Sequence, residues 1–290
     1  MTDTAELLSV VLTLRPLEAA PELPPVGRAA HALALEALRQ FDAALAEQIH
    51  AGSGARPLTV SDLIGYSRKR GVSPERTYTL RFTALTGPVA RGLAEAARGG
   101  VLAPGAEIRL GEASFKIEGV ATEREAHPWA ASFSYEALSA PWLLGRVTPG
   151  PRIELQFASP TMFKSNGLHV PAPLPGWVFG SLLEKWNAFA PVALPPEARR
   201  FAEECLALSG FELRSRAGYV KEGGVRVGAV GTARYTAINR DRYWMSLMNL
   251  LADFALFAGV GAGTTMGLGQ CRRIATQDEG GGQKAESRKQ

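Results

Sequence analysis

The order of apolar segments predicts an α+β chain made of two tandem βαββαβ units, one in residues 1–148 and one in residues 149–276. Three observations carry this expectation. The succession strand, helix, strand, strand, helix, strand is readable twice; Pro149-Gly150-Pro151 separates the two runs; and 290 residues with 46% hydrophobic content suffice for two cores.

In the first unit, Leu7 to Leu14 alternates and is partly β-branched, which predicts a strand, and Pro16 to Pro25 reads as a turn-rich connector. Gly27 to Gln40 has helical spacing. Asp42 is a good N-cap, so a second short helix is expected over Ala43 to His50. Pro57 to Leu63 and Thr77 to Leu85 read as strands joined by a loop with Arg68, Lys69 and Arg70. A helix follows over Pro88 to Arg98, then a strand over Glu107 to Thr122 that Gly111 interrupts.

The second unit opens at Arg152 to Ala158, where Ile153, Leu155 and Phe157 alternate with polar residues. Helices are expected near Trp177 to Phe189 and Glu197 to Leu208, and strands near Phe211 to Tyr219 and Val225 to Ile238. Asp241 to Ala258 is apolar on nearly every face, a buried helix capped by Gly259, and Gln270 to Ala275 reads as a last strand. Each unit would form an antiparallel sheet with helices on one face, the ferredoxin-like (RRM-like) arrangement. Residues 277–290 are polar and Gly-rich and read as a frayed tail.

Between the buried helix and the last strand lie Gly259, Gly261, Gly263, Gly267 and Gly269, with Thr264 and Thr265 among them. Backbone without Cβ can turn through positive φ and present N–H groups to phosphate oxygens; a helix cap and a tight turn would account for Gly259 alone. Dinucleotide and P-loop motifs need a strand before the glycines and a helix after them. Here the order is reversed, which argues against a small-nucleotide regulatory module.

A formal net charge of +4 is compatible with an anionic partner. Two cysteines, Cys205 and Cys271, lie far apart with no Cys or His at metal-ligand spacing, so no metal site is expected. Met1 to Pro16 lacks a secretory pattern, and the apolar helix, which contains Asn249 and Asp253, reads as core and not as a membrane span. A cytoplasmic location with no membrane contact is the expectation.

Three segments together resemble the CRISPR repeat-processing endoribonucleases of the repeat-associated mysterious protein superfamily. Gly259-Val-Gly261 with Thr264-Thr265-Met266-Gly267-Leu268-Gly269 is similar to that family's C-terminal glycine-rich signature. Arg152 to Phe163, with Pro173 to Asn187 behind it, is similar to its Ser/Thr-Pro-Thr segment and following helix. Gly27 to His31, through Asp42 and His50 to Arg56 and Ser61, resembles its N-terminal helix and the next strand. The resemblance implies two ferredoxin-like domains side by side, no cofactor, and metal-independent cleavage of precursor CRISPR RNA within its repeats. It also implies CRISPR repeat RNA as partner, with a larger CRISPR effector complex or a homodimer beyond it. In that chemistry the ribose 2′-hydroxyl attacks the adjacent phosphate and leaves a 2′,3′-cyclic phosphate and a 5′-hydroxyl. The protein supplies a base, an acid and positive groups. A non-catalytic, guide-holding member of the superfamily is the alternative.

Carried onto this chain, the resemblance assigns catalysis to His31, His50 and Arg56, and RNA contact to Gly259, Gly261, Gly263, Thr264, Thr265, Gly267 and Gly269. Arg56 stands where the family often has Lys; an arginine stabilises negative charge but is a poor proton donor. Histidine suits proton transfer near neutrality. If the chain turns back at Gln40 to Asp42, His31, about ten residues before the turn, and His50, about eight after it, sit at comparable depth; one continuous helix would hold them about 28 Å apart. The other reading makes His31 a helix-surface residue and His50 a C-terminal cap. His127 and His169 read as loop residues, with RNA contact the alternative for His169. A basic stretch supplies further RNA candidates, Arg214, Arg216, Lys221, Arg226 and Arg234, with Tyr219 and Tyr235 to stack bases; a solvated hairpin is the alternative. Lys164 is a separate candidate.

Overall fold

The computed structural model describes residues 5–219 and 224–274. The first half runs β1 (Leu7–Pro16), α1 (Gly27–Phe41), α2 (Ala43–Ala51), β2 (Leu58–Val60), β3 (Tyr78–Ala84), α3 (Gly87–Gly99), β4 (Glu107–Leu110), β5 (Ala113–Ala121) and β6 (Ala131–Phe133). The second runs α4 (Tyr135–Leu143), β7 (Arg152–Thr161), β8 (Phe163–Ser165), β9 (Leu168–Val170), α5 (Pro175–Phe189), α6 (Glu197–Cys205), β10 (Leu206–Tyr219), β11 (Val225–Ala237), α7 (Arg242–Ala258) and β12 (Cys271–Ile274).

Both sheets have ferredoxin-like order. The first is β2-β3-β1-β5-β4, with β6 paired to the start of β1; the second is β10-β11-β7-β12. Every pairing between these strands is antiparallel. In each half the opening strand lies centrally, between the third and last strands of the βαββαβ pattern.

The predicted break between the first two helices is present. At Asp42 the backbone is extended, with φ −155° and ψ 105°, and its carboxylate accepts from Leu45 N at 3.0 Å. The first helix buries the stripe Ala30, Ala34, Leu35, Ala37 and Leu38. Strand β1 is less simple than its partial alternation implied: Leu7 through Leu12 are all buried, Ser9 included. Its second face is covered because α7 lies across the boundary between the two halves. Leu7, Leu85, Tyr135 and Leu138 accordingly share one apolar cluster with Met248, Leu251, Phe254 and Phe257.

Several expectations are corrected. The helix expected to reach Leu208 ends at Cys205, because Leu206 to Leu208 pair with β11. His169 is not in a loop: it lies in β9, directly opposite Lys164. The strand β6 and helix α4 were not foreseen. Lys221 and the tail at 277–290 lie outside the described residues.

Candidate nucleic-acid and catalytic site

All five loop glycines have positive φ, from 57° at Gly259 to 91° at Gly267. The loop closes on itself: Val260 N donates to Gly269 O at 2.8 Å, and a Cβ on Gly269 would lie 2.1 Å from Val260 O. Most of its amides are therefore spent inside the protein. Gly259 N donates to Ala255 O, Gly261 N to Ser181 Oγ, Ala262 N to Met162 O, Met266 N and Leu268 N to Gly263 O, and Gly269 N to Pro160 O. The phosphate role expected of the Gly259, Gly261 and Gly269 amides is thus not open to them; these residues shape the loop. Gly267 is buried and bridges to Ser61. The turn at Gly263, Thr264 and Thr265 carries the amides that lack such acceptors among the described residues.

The loop docks on the first half of the chain. Val60 N donates to Thr264 O at 3.0 Å, and Gln270 Nε2 donates to Val60 O at 3.0 Å. At the start of α1, a Cβ on Gly27 would stand 2.1 Å from Met266 O, so only glycine admits this approach. Asp62 fixes the same corner, its carboxylate accepting from Val26 N at 2.8 Å and Leu63 N at 2.9 Å. Burial raises its pKa, against the lowering effect of those two bonds. His31 stands four residues after Gly27, one turn further along the same face of α1. His50 is exposed at the end of α2, whose last turn is tied down by Arg56 Nη1 donating to Ile49 O at 2.6 Å.

The basic stretch forms the β10–β11 ribbon. Gly218 pairs with Arg226, Arg216 with Gly228 and Arg214 with Val230, so by the two-residue period Arg214, Arg216 and Arg226 share one face, with Arg234 further along it. That face meets the glycine loop at Gly218, whose Cβ position lies 3.0 Å from Leu268 Cδ2. Arg234 is already engaged by Glu154 at 3.1 Å. Tyr235 is not a stacking platform: it is fully buried and donates its hydroxyl to Pro173 O at 2.8 Å. Lys164 stands elsewhere, in a cleft of about 390 Å³ that also includes Trp177, Arg199 and Gly261 to Gly263.

Sequence reasoning missed three residues that hold the loop's root. The last carbonyls of α7 accept from side chains: Leu256 O from Arg81, Phe257 O from Thr83 Oγ1 at 2.7 Å, and Ala258 O from Lys185 Nζ at 2.8 Å. Helix ends leave such carbonyls without intrahelical donors, and cations there oppose the helix dipole. Arg81 also reaches Gln270 Oε1 and Ser9 Oγ, and its guanidinium sits 5.1 Å from the Trp129 ring, with Arg272 at 4.7 Å from that ring. Burial lowers Arg81 to about 9, which still leaves it charged at neutral pH. The clue to Lys185 was available: it falls on the apolar stripe of Val178, Leu182 and Trp186. For Arg81, the polar alternation Thr79, Arg81, Thr83 resembles a solvated face.

Among the described residues, no three His, Cys, Asp or Glu side chains are grouped to share a metal ion, and no helix is long and apolar enough to cross a membrane.

Two antiparallel ferredoxin-like units, with a glycine-rich loop of the second docked on the first, are the fold shared with a solved RAMP protein described as binding different RNA substrates, which aligns with TM-score 0.59 at 16% identity. Residues 155–271 match the family model "CRISPR-associated endoribonuclease Cas6". Two curated Mycobacterium tuberculosis proteins of that description, from strains CDC 1551 / Oshkosh and ATCC 25618 / H37Rv, are each 33% identical over 124 residues. That match spans 42% of this chain and 38% of the length of those relatives. Among solved structures, a Cas6 product complex aligns with TM-score 0.73 and 26% identity, covering 93% of this chain and 99% of that one. Thermus thermophilus Cas6 aligns with TM-score 0.70 at the same identity and coverage. The chain is thus similar to CRISPR-associated Cas6 proteins, in sequence over residues 155–271 and in fold over 93% of its length.

Proposed function

We propose that this chain is an endoribonuclease that cleaves precursor CRISPR RNA within its repeats without a metal ion. The 2′-hydroxyl attacks the adjacent phosphorus as a base takes its proton; the bond from phosphorus to the 5′ oxygen breaks, and that oxygen receives a proton from an acid. The products carry a 2′,3′-cyclic phosphate and a 5′-hydroxyl. His31 is the leading proton-transfer group, His50 the second, and Arg56 fixes the end of the helix that bears His50. The turn at Gly263 to Thr265 meets the phosphate, and the Arg214, Arg216 and Arg226 face holds the flanking backbone.

The single observation that carries this proposal is the seat of α1 against the glycine loop. Gly27 touches the Met266 carbonyl, and His31 is one turn further along the same face. Likeness to a Cas6 product complex and to a Cas6 substrate mimic complex over more than nine-tenths of the chain supports an RNA substrate.

The test is cleavage of a repeat-containing RNA in excess EDTA by wild type, His31→Ala, His50→Ala and the double variant, with the product ends analysed. Loss of a positioned proton-transfer group costs about 10²- to 10⁴-fold, so His31→Ala is expected to lose at least about 10²-fold. Wild-type rates in the double variant would remove both histidines from the reaction, and abolition by EDTA would end the metal-independent assignment.

A further inference from the structure

Lys185 is placed where its chemistry is costly. It sits on the apolar face of α5, between Leu182 and Trp186, and its ammonium points inward to three oxygens: Ala258 O at 2.8 Å, Gly259 O at 3.1 Å and Thr264 Oγ1 at 3.3 Å. None of these oxygens is charged. The adjacent carboxylate, Glu184, is exposed and lies 3.6 Å from Arg199 of α6. From β12 the Cys271 thiol faces the ammonium, and burial pushes that thiol up so that it stays neutral. Arg81 faces the same thiol from β3. Lys185 as a whole is half-buried, with its ammonium at the inner end; a cation drawn out of water without a charged partner is disfavoured, and an apolar side chain of similar length would fill this space.

What the ammonium gains is control over one piece of backbone. Two of its acceptors end α7 and the third is the side chain of Thr264, so it spans the root and the tip of the glycine loop. We propose, on the strength of the endoribonuclease reading above, that Lys185 is a positioning residue for RNA cleavage: it holds the Gly259 to Thr264 segment so that the Gly263, Thr264 and Thr265 amides meet the phosphate as charge builds on it. Lys185 itself touches no RNA. It acts through the loop.

Burial lowers Lys185 from 10.5 to about 7, with the Glu184 carboxylate opposing that fall. The two protonation states are satisfied differently. An ammonium donates to all three oxygens, whereas a neutral amine donates to the two carbonyls and must accept from the Thr264 hydroxyl.

The test separates cleavage from binding. Single-turnover rates are measured with enzyme in excess over repeat RNA, and equilibrium binding is measured with the same RNA carrying a 2′-deoxy sugar at the cut. Misplacing preorganised donors by about 1 Å costs up to about 10²-fold in rate. Lys185→Met is therefore expected to slow cleavage of bound RNA about 10- to 100-fold while Kd moves less than about 3-fold and the protein stays folded. Lys185→Arg, whose guanidinium can reach the same oxygens, should recover most of the rate.

A Lys185→Met protein that cleaves at the wild-type rate, or that loses rate and affinity in proportion, overturns the proposal. If Lys185→Met does not fold, Thr264→Val decides: it keeps both carbonyl bonds and should still show a rate loss with affinity retained, and a wild-type rate there also overturns it. Wild-type protein that binds repeat RNA but never cuts it sinks the endoribonuclease reading and this proposal together. Cleavage by wild type and Lys185→Met alike sinks this one only.

Discussion

Lys185 carries a stability signature beside its proposed positioning role. Its pKa in the fold is about 7 and in the unfolded chain 10.5, so between those values the unfolded state binds more protons. Stability attributable to this group therefore rises as pH rises from about 7, and below about 7 the cost of the buried charge is fully present. Above about 9, Arg81 and Cys271 add their own dependences, of opposite sign to each other, so the clean window is pH 7 to 9. The difference in denaturation midpoint between wild type and Lys185→Met is expected to shift in favour of wild type across that window. A constant difference would show that the ammonium is not desolvated as the geometry requires. The same residue shows how a sequence hides a site. A lysine on an apolar stripe is visible in the pattern, but its three acceptors lie 73 to 79 residues away, and spacing along the chain says nothing about them.

At the scale of elements, the β10–β11 ribbon concentrates positive charge where two neighbouring strands bring it to one face. Arg214 and Arg216 are exposed and unneutralised by any ion pair among the described residues, whereas Arg234 is held by Glu154. Each phosphate contact on a single strand contributes a salt slope of about 0.7. Arg214→Ala with Arg216→Ala should weaken RNA binding and flatten the dependence of log Kd on log salt by about 1.4, and Arg234→Ala should do less. An unchanged slope in the double variant would move the backbone-binding surface off this ribbon. The arginines were legible as a cluster in the sequence, and the strands that carry them were nearly so. Tyr235 was misjudged for a definite reason: strand residues one apart point to opposite faces, and its odd position puts it beneath the sheet, against Phe179 at 5.6 Å between ring centroids. The two-strand hairpin β8–β9 escaped notice because three residues are too short for a periodic signal.

At the scale of the molecule, the two halves are held together at the end of α7. Arg81 alone links β3, β1, the last turn of α7 and the strand entry at Gln270. Arg81→Met would keep much of the packing volume but leave buried acceptors without donors, at a cost of about 1 to 3 kcal/mol each. A fall in thermal midpoint is expected, accompanied by slower RNA cleavage, because the bonds to Leu256 O and Gln270 anchor the two ends of the glycine loop. Loss of stability with cleavage unchanged at a temperature where the variant is folded would mean that the loop keeps its seat without this residue.

Sequence by itself determined the two βαββαβ units, the helix break at Asp42, the buried helix and its Gly259 cap, and the presence of a glycine-rich turn. These follow from local rules, namely apolar periodicity, capping side chains and residues that tolerate positive φ. Only the tertiary structure decided which loop amides stay available, which face of the ribbon is basic, and which distant donors complete the end of α7. Those are matters of which groups from separate elements meet, and hydrogen-bond partners are chosen by the packed fold, whose geometry no local pattern encodes.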